Sequence, residues 1–230
     1  MRPLGDALAA RGFPVRGPRL AGHGTDVDDL AATAWTDWYA SAERALAELA
    51  RDVPRIAVVG LSMGGLLALH LAARQPARVK ALALLATPIR LGDPRARVLP
   101  VAARVPALWR WLERRIGPLP KPNGPDITDP AVRAESPSYR ATPLAAVLEL
   151  IRLQAVVRAE LAGIAQPVLL LHGRRDRSVP LVNFDIMRRR LGRHVVGAHV
   201  MERSGHVLTV DVEHDAVARL VADFVELEER

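Results

Sequence analysis

The chain has 230 residues, half of them hydrophobic and a quarter charged, a balance that excludes disorder and allows one large domain or one domain with an insert. It contains no cysteine, which rules out a disulfide scaffold, a thiol nucleophile and any thiolate metal site. The net charge of +7 invites a nucleic-acid reading, but the basic residues are nearly all arginines scattered along the chain, and no aromatic–basic interleaving accompanies them. No partner nucleic acid is expected. No apolar run approaches the roughly 20 residues of a bilayer span, and the opening Met1-Arg2-Pro3-Leu4-Gly5-Asp6 is not a signal peptide as written. No stable membrane anchor and a cytoplasmic location are the expectations.

In chain order, Phe13 to Leu20 reads as a strand, followed by the turn Gly22-His23-Gly24. Trp35, Trp38, Ala42, Ala45, Leu46 and Leu49 then recur at spacings of three and four, which predicts a helix. Arg55–Gly60 and Val79–Ala86 read as short strands buried on both faces, with a helix over Gly64–Arg74 between them. The stretch 87–166 breaks this rhythm: it predicts helices over Val101–Ile116 and Pro143–Leu161, separated by a loop, Gly117–Pro130, with five prolines and two glycines. Alternation resumes with a strand over Pro167–His172, a helix over Leu181–Leu191 and a strand over Gly197–Met201. A final helix, Val212–Glu228, carries Val217, Leu220, Val221, Phe224 and Leu227 on one stripe. The fold class is therefore α/β, a mostly parallel sheet with helices on both faces; 1–86 and 167–230 form the core, and 87–166 is a helical lid insert.

Gly60-Leu61-Ser62-Met63-Gly64 fits the Gly-x-Ser-x-Gly pattern in which a serine is exposed on a sharp strand-to-helix turn. An apolar strand ends at Gly60 and a helical pattern opens at Gly64, the context this turn requires. A serine hydroxyl needs a base, and His206, in a loop beyond the last strand, is placed to reach the same sheet edge. His70, His194, His199 and His214 show no partner pattern, His172 ends a strand and His23 lies in a turn. None has metal-ligand spacing, so no metal is expected. Asp176, on the loop after the strand ending at His172, is the candidate acid; its alternative is membership of a surface ion pair with Arg174, Arg175 or Arg177. Asp185 and Glu202 are competing acids placed within a helix and a strand. The order Ser62, Asp176, His206 is the order of an α/β-hydrolase triad.

Gly60-Leu61-Ser62-Met63-Gly64-Gly65, Gly173-Arg174-Arg175-Asp176-Arg177-Ser178-Val179-Pro180 and Ser204-Gly205-His206-Val207 together resemble the α/β-hydrolase superfamily. The segments Arg19–Thr25 and Trp35–Trp38 extend the likeness to bacterial carboxylesterases and monoacylglycerol lipases with a small lid. The resemblance implies a serine esterase without cofactor, acting on a small-molecule ester or acylglycerol in lipid metabolism through an acyl-enzyme on Ser62. It also implies that the Met63 backbone N–H is one oxyanion donor. The second donor in this family comes from a His-Gly loop after the third strand, and the chain shows no such loop before Ser62. The N-terminal strands are missing, and about 25 to 40 upstream residues are expected in the complete protein. Thioesterase, lactonase or carbon–carbon hydrolase chemistry on the same scaffold remains open, as does a non-catalytic binding protein. An epoxide or halide hydrolase is disfavoured, because those enzymes carry an aspartate where Ser62 stands. In the lid, Leu108, Trp109, Trp111, Leu112, Leu144, Val147, Leu148 and Ile151 form an apolar stripe that either lines an acyl pocket, with Trp109, Leu112 and Leu148 as candidate substrate contacts, or docks the lid on the sheet.

Overall fold

The computed structural model describes residues 1–92, 98–122 and 124–229. The chain opens with α1 (Arg2–Ala10), passes through an irregular run over 13–20, and continues with α2 (Val27–Ala31), α3 (Trp35–Leu49), β1 (Ile56–Leu61), α4 (Met63–Arg74) and β2 (Val79–Leu85). Next come α5 (Leu99–Ala102), α6 (Pro106–Ile116), β3 (Leu119–Pro120), α7 (Pro130–Glu135), β4 (Ala141–Thr142) and α8 (Leu144–Glu160). The last third holds β5 (Val168–Gly173), α9 (Val182–Leu191), β6 (Val195–Met201) and α10 (His214–Glu229).

Four strands form one sheet in the order β1-β2-β5-β6, and every pair is parallel. The two inner strands explain the two layers of helices. Leu82, Leu84, Val168 and Leu170 face one side, where they meet Trp38, Leu66, Leu69, Leu153, Val157 and Met187. Their neighbours Ala81, Ala83, Leu85, Leu169 and Leu171 face the other, against Leu4 and Leu8 of α1 and Val217, Val221 and Phe224 of α10. Successive side chains point to opposite faces, so a strand with helices on both sides must be apolar throughout.

Several expectations are corrected. α1 was not anticipated by any pattern. Phe13–Leu20 forms neither strand nor helix, and β1 is only half-buried over Ala57–Val59 rather than covered on both faces. Both differences have one cause. Among the described residues β1 pairs only with β2, and a cavity of about 530 Å³ lies along its open edge, lined by Leu4, Leu8, Phe13, Leu46, Val58 and Ser62 among others. The helix expected over Val101–Ile116 breaks in two, because Pro106 starts α6 as a first-turn residue and cannot continue α5. The Pro-rich loop after α6 contains one short antiparallel ribbon, β3 with β4; Asn123 within it lies outside the described residues.

The apolar stripe expected over 108–151 divides. Trp109 and Leu112 pack with Leu99, Leu144 and Leu148 in a small separate cluster, whereas Leu108 is 42% and Trp111 54% exposed. α8 continues from that cluster into the main core through Leu153 and Val157. Leu227, placed on the buried stripe of α10, is exposed at the helix end. Among the described residues no helix is long and apolar enough to cross a membrane. Leu153→Ala should therefore lower the unfolding free energy by about 2–5 kcal/mol, and Trp111→Ser should stay within about 0.5 kcal/mol of the parent. Urea titration of both variants checks the contrast.

Candidate active site

In a parallel sheet every strand delivers its following loop to the same edge. Ser62 follows β1, Asp176 follows β5 and the loop bearing His206 follows β6, so the three predicted side chains emerge at the C-terminal rim. Ser62 is the single residue between β1 and α4, held at φ 55° and ψ −123°. That conformation is unfavourable for a residue with a Cβ. Two backbone bonds hold it: Ser62 N–H donates to Leu85 O at 2.8 Å, and Gly65 N–H donates to Ser62 O at 2.8 Å. A Cβ on Gly60 would run into the backbone of Gly64 and Gly65, and one on Gly65 would strike the Thr87 hydroxyl. A Cβ on Gly64 would meet open space. The crowding at this turn thus falls on Gly60 and Gly65.

His206 and Asp176 are brought into direct contact. His206 Nδ1–H donates to Asp176 Oδ2 at 2.8 Å, and the Asp176 side chain has no solvent exposure. The other carboxylate oxygen, Oδ1, accepts the N–H groups of Ser178 at 2.9 Å and Val179 at 2.7 Å. The surface ion-pair alternative for Asp176 does not hold: Arg174 pairs instead with Glu202, and Arg177 with Asp126. Glu202 lies just past β6 rather than inside it, and Asp185 stays within α9. Met63 is the first residue of α4, where a helix leaves its backbone N–H groups without partners along the chain.

The remaining histidines have other duties. His70 is not without a partner: it donates from Nδ1 to Glu160 at 2.7 Å, 90 residues away, with Trp35 and Tyr39 edge-on to its ring. His23 bonds the Ala21 carbonyl through Nδ1 and lines the cavity near Ser62. His214 bonds Asp211 O through its own Nδ1, and His199 is exposed on β6. His172, set aside as a strand end, lies against the site. Its Nε2–H donates to Val179 O at 2.9 Å, and the same nitrogen stands 3.4 Å from Asp176 Oδ2. Burial pushes its pKa below the ordinary histidine value, against the opposing pull of the Val179 carbonyl and Asp176. The signal available in sequence was its position four residues before the acid. Asp126 and Asp211 were also missed, and no local pattern marks them.

A neutral buried His172 carries a stability signature. Below about pH 6.5 the unfolded chain protonates this histidine while the folded one resists, so the unfolded state binds more protons and stability falls as pH drops through that value. His172→Gln, which keeps a side-chain N–H for Val179, should lose less stability than the parent between about pH 7.5 and about pH 5.5, either side of the ordinary histidine value. Denaturant midpoints at the two pH values measure the difference.

This geometry has relatives. Residues 1–220 match the alpha/beta hydrolase family. The chain is 32% identical to a thermostable monoacylglycerol lipase from Bacillus sp. (strain H-257), over 97% of its own length and 84% of the relative's. It is 25% identical to a carboxylesterase from Bacillus subtilis (strain 168), covering 98% of this chain and 86% of that one. A solved structure from work on the metagenome-derived lipolytic enzymes LipS and LipT superposes with a TM-score of 0.84 at 28% identity, over 98% of this chain and 87% of that one. The chain belongs to the alpha/beta hydrolase family.

Proposed function

We propose that the protein is a carboxylic ester hydrolase working through Ser62, His206 and Asp176, on small uncharged esters with short to medium acyl chains or on monoacylglycerols. The observation that carries this reading is the 2.8 Å bond from His206 Nδ1–H to a carboxylate with no solvent exposure. With Nδ1 committed to Asp176, Nε2 is the nitrogen that takes the serine proton. Ser62 Oγ then bonds to the ester carbonyl carbon, and the carbonyl electrons move onto an oxyanion facing the Met63 N–H. Collapse breaks the bond to the alcohol, which leaves with the proton held on His206. Water, deprotonated by the same imidazole, attacks the acyl-enzyme and returns free Ser62 with the carboxylic acid. Asp176 accepts the Nδ1–H of His206 and so fixes the orientation of the imidazole. The names of the lipase and carboxylesterase relatives favour an ester over a thioester or lactone.

A single helix N-terminus offers one side of an oxyanion hole. We propose that the cavity along the open edge of β1 receives a further extended segment and that the loop after it carries the second donor. The unpaired edge and the apolar lining support this, since a parallel strand there would bond backbone groups that β1 leaves without a ladder. The 87–166 stretch is proposed to act as a lid, in which Trp109, Leu112 and Leu148 pack with Leu99 and Leu144 in their own cluster.

A fluorophosphonate probe should label Ser62, and Ser62→Ala should abolish the labelling and lower kcat by about 10⁴-fold or more. Asp176→Asn should lower kcat by about 10⁴-fold. A folded protein that takes no label defeats the catalytic reading; turnover of thioesters or lactones in preference to p-nitrophenyl esters redirects it. A protein extended by the residues encoded upstream should gain about 10²- to 10³-fold in kcat over the 230-residue chain. Equal rates would remove the second-donor proposal.

A further inference from the structure

We propose that Asp126, in the Pro-rich run between α6 and α7, is a positioning residue that ties the Asp176 loop to the His206 loop and so couples this run to the geometry of the pair. The inference rests on the catalytic roles proposed for Asp176 and His206.

One residue reaches both loops by different groups. The Asp126 carboxylate, 10% exposed, takes the acid loop: Oδ2 accepts from Arg177 N–H at 2.7 Å, Ser178 N–H at 3.0 Å and Ser178 Oγ–H at 3.1 Å, while Oδ1 accepts from Arg177 Nε–H at 3.2 Å. Its backbone carbonyl takes the histidine loop, accepting from His206 N–H at 2.9 Å and Val207 N–H at 3.2 Å. Arg177 and Ser178 directly follow the acid, and Ser178 N–H is shared between Asp126 Oδ2 and Asp176 Oδ1.

The run is itself anchored. Ile127 is 1% exposed, and the next two N–H groups, Thr128 and Asp129, donate to Asp211 at 2.8 and 3.1 Å. Asp211 is fully buried and also accepts from Gly205 N–H at 2.7 Å and Val212 N–H at 2.8 Å. Burial alone would raise its carboxyl pKa, but the four backbone N–H groups outweigh it and hold the pKa below the ordinary value. Gly205 shows how tightly the parts fit, since a Cβ there would lie 3.0 Å from both Asp126 O and Oδ1 and 3.3 Å from Asp211 Oδ2. Asp126 and Asp211 thus close a ring of charge-assisted bonds around the His206–Asp176 contact. Removing the Asp126 carboxylate leaves the Arg177 N–H without its acceptor and sends Ser178 N–H wholly to Asp176. The first change loosens the loop that follows Asp176, and the second alters the pull on Asp176 Oδ1, so the carboxylate shifts relative to the imidazole.

The test compares Asp126→Ala and Asp126→Asn with the parent on a soluble p-nitrophenyl ester. Rates are expressed per site labelled by a fluorophosphonate, so that unfolded protein does not count. Asp126→Ala should lower kcat by about 10- to 100-fold with KM changed less than about threefold, the loss expected of a small misplacement of catalytic groups. Asp126→Asn keeps an oxygen for Arg177 and Ser178 and should recover most of that loss, remaining about two- to fivefold below the parent, since a neutral acceptor gives the weaker bond. Parent kcat per labelled site in Asp126→Ala, with only a lower thermal midpoint, overturns the inference. Should Asp126→Ala fail to fold, the Asn variant decides: a partial loss in kcat at parent KM supports the coupling, and parent kcat overturns it. Absence of labelling in the parent protein would instead overturn the catalytic reading, and this inference with it.

Discussion

A carboxylate with no exposure to water must find every hydrogen bond inside the protein or lose its charge, and Asp176 is such a group. Its partners are two N–H groups of its own loop and the imidazole of a loop thirty residues later. The arrangement stands only if the loops after β5 and β6 start at the same height. Parallel pairing provides that through the register that ends with Gly173 opposite Met201. Gly173 matters for a second reason, because any side chain there would collide with the carbonyls of Ser204 and Gly205 in the histidine loop. The two loops therefore pack backbone to backbone, and the short bond between their side chains follows from that closeness.

The serine is positioned by a separate device. Its left-handed backbone would cost about 1–3 kcal/mol in isolation, and that strain is opposed by bonds from β2 and α4 and by two glycines that let helix and strand approach. Gly60 meets the α4 backbone and Gly65 meets Thr87, so the turn is clamped between its own helix and the neighbouring strand's end. Ser62 at one strand end and the Asp176–His206 pair two and three strands away share a reference frame because β2, apolar on both faces, lies between them.

Polar clamps do the remaining work at the rim. Asp211, Asp126 and Glu213 all accept from the histidine loop or its neighbours; Glu213 takes Arg203 N–H at 2.9 Å and Ser204 Oγ–H at 2.7 Å. Leu208 anchors the loop carrying His206 in the core, and hydrogen bonds to carboxylates add to that packing as a restraint. A Pro-rich run that looks like a spacer becomes a structural wedge between the Asp176 and His206 loops.

What the sequence determined by itself was whatever repeats or punctuates over a few residues. The strand–serine–helix turn, the acid after one apolar strand, the histidine after another and most helix positions fall in this class, since neighbours along the chain create them. The stripe on α3 and the doubly apolar β2 and β5 were legible for the same reason. What only the tertiary structure decided depends on residues far apart in the chain. Phe13–Leu20 has strand composition but pairs with no strand among the described residues, and strand formation requires a partner. Trp111 and Trp109 are two positions apart in one amphipathic helix, and only docking on Leu144 and Leu148 distinguishes the exposed ring from the packed one. Asp126 bonds residues 51 and 52 positions on, and Asp211 bonds others 82 and 83 positions back. A lone aspartate in a loop carries no local pattern; its role is set by which backbone N–H groups the fold turns toward it.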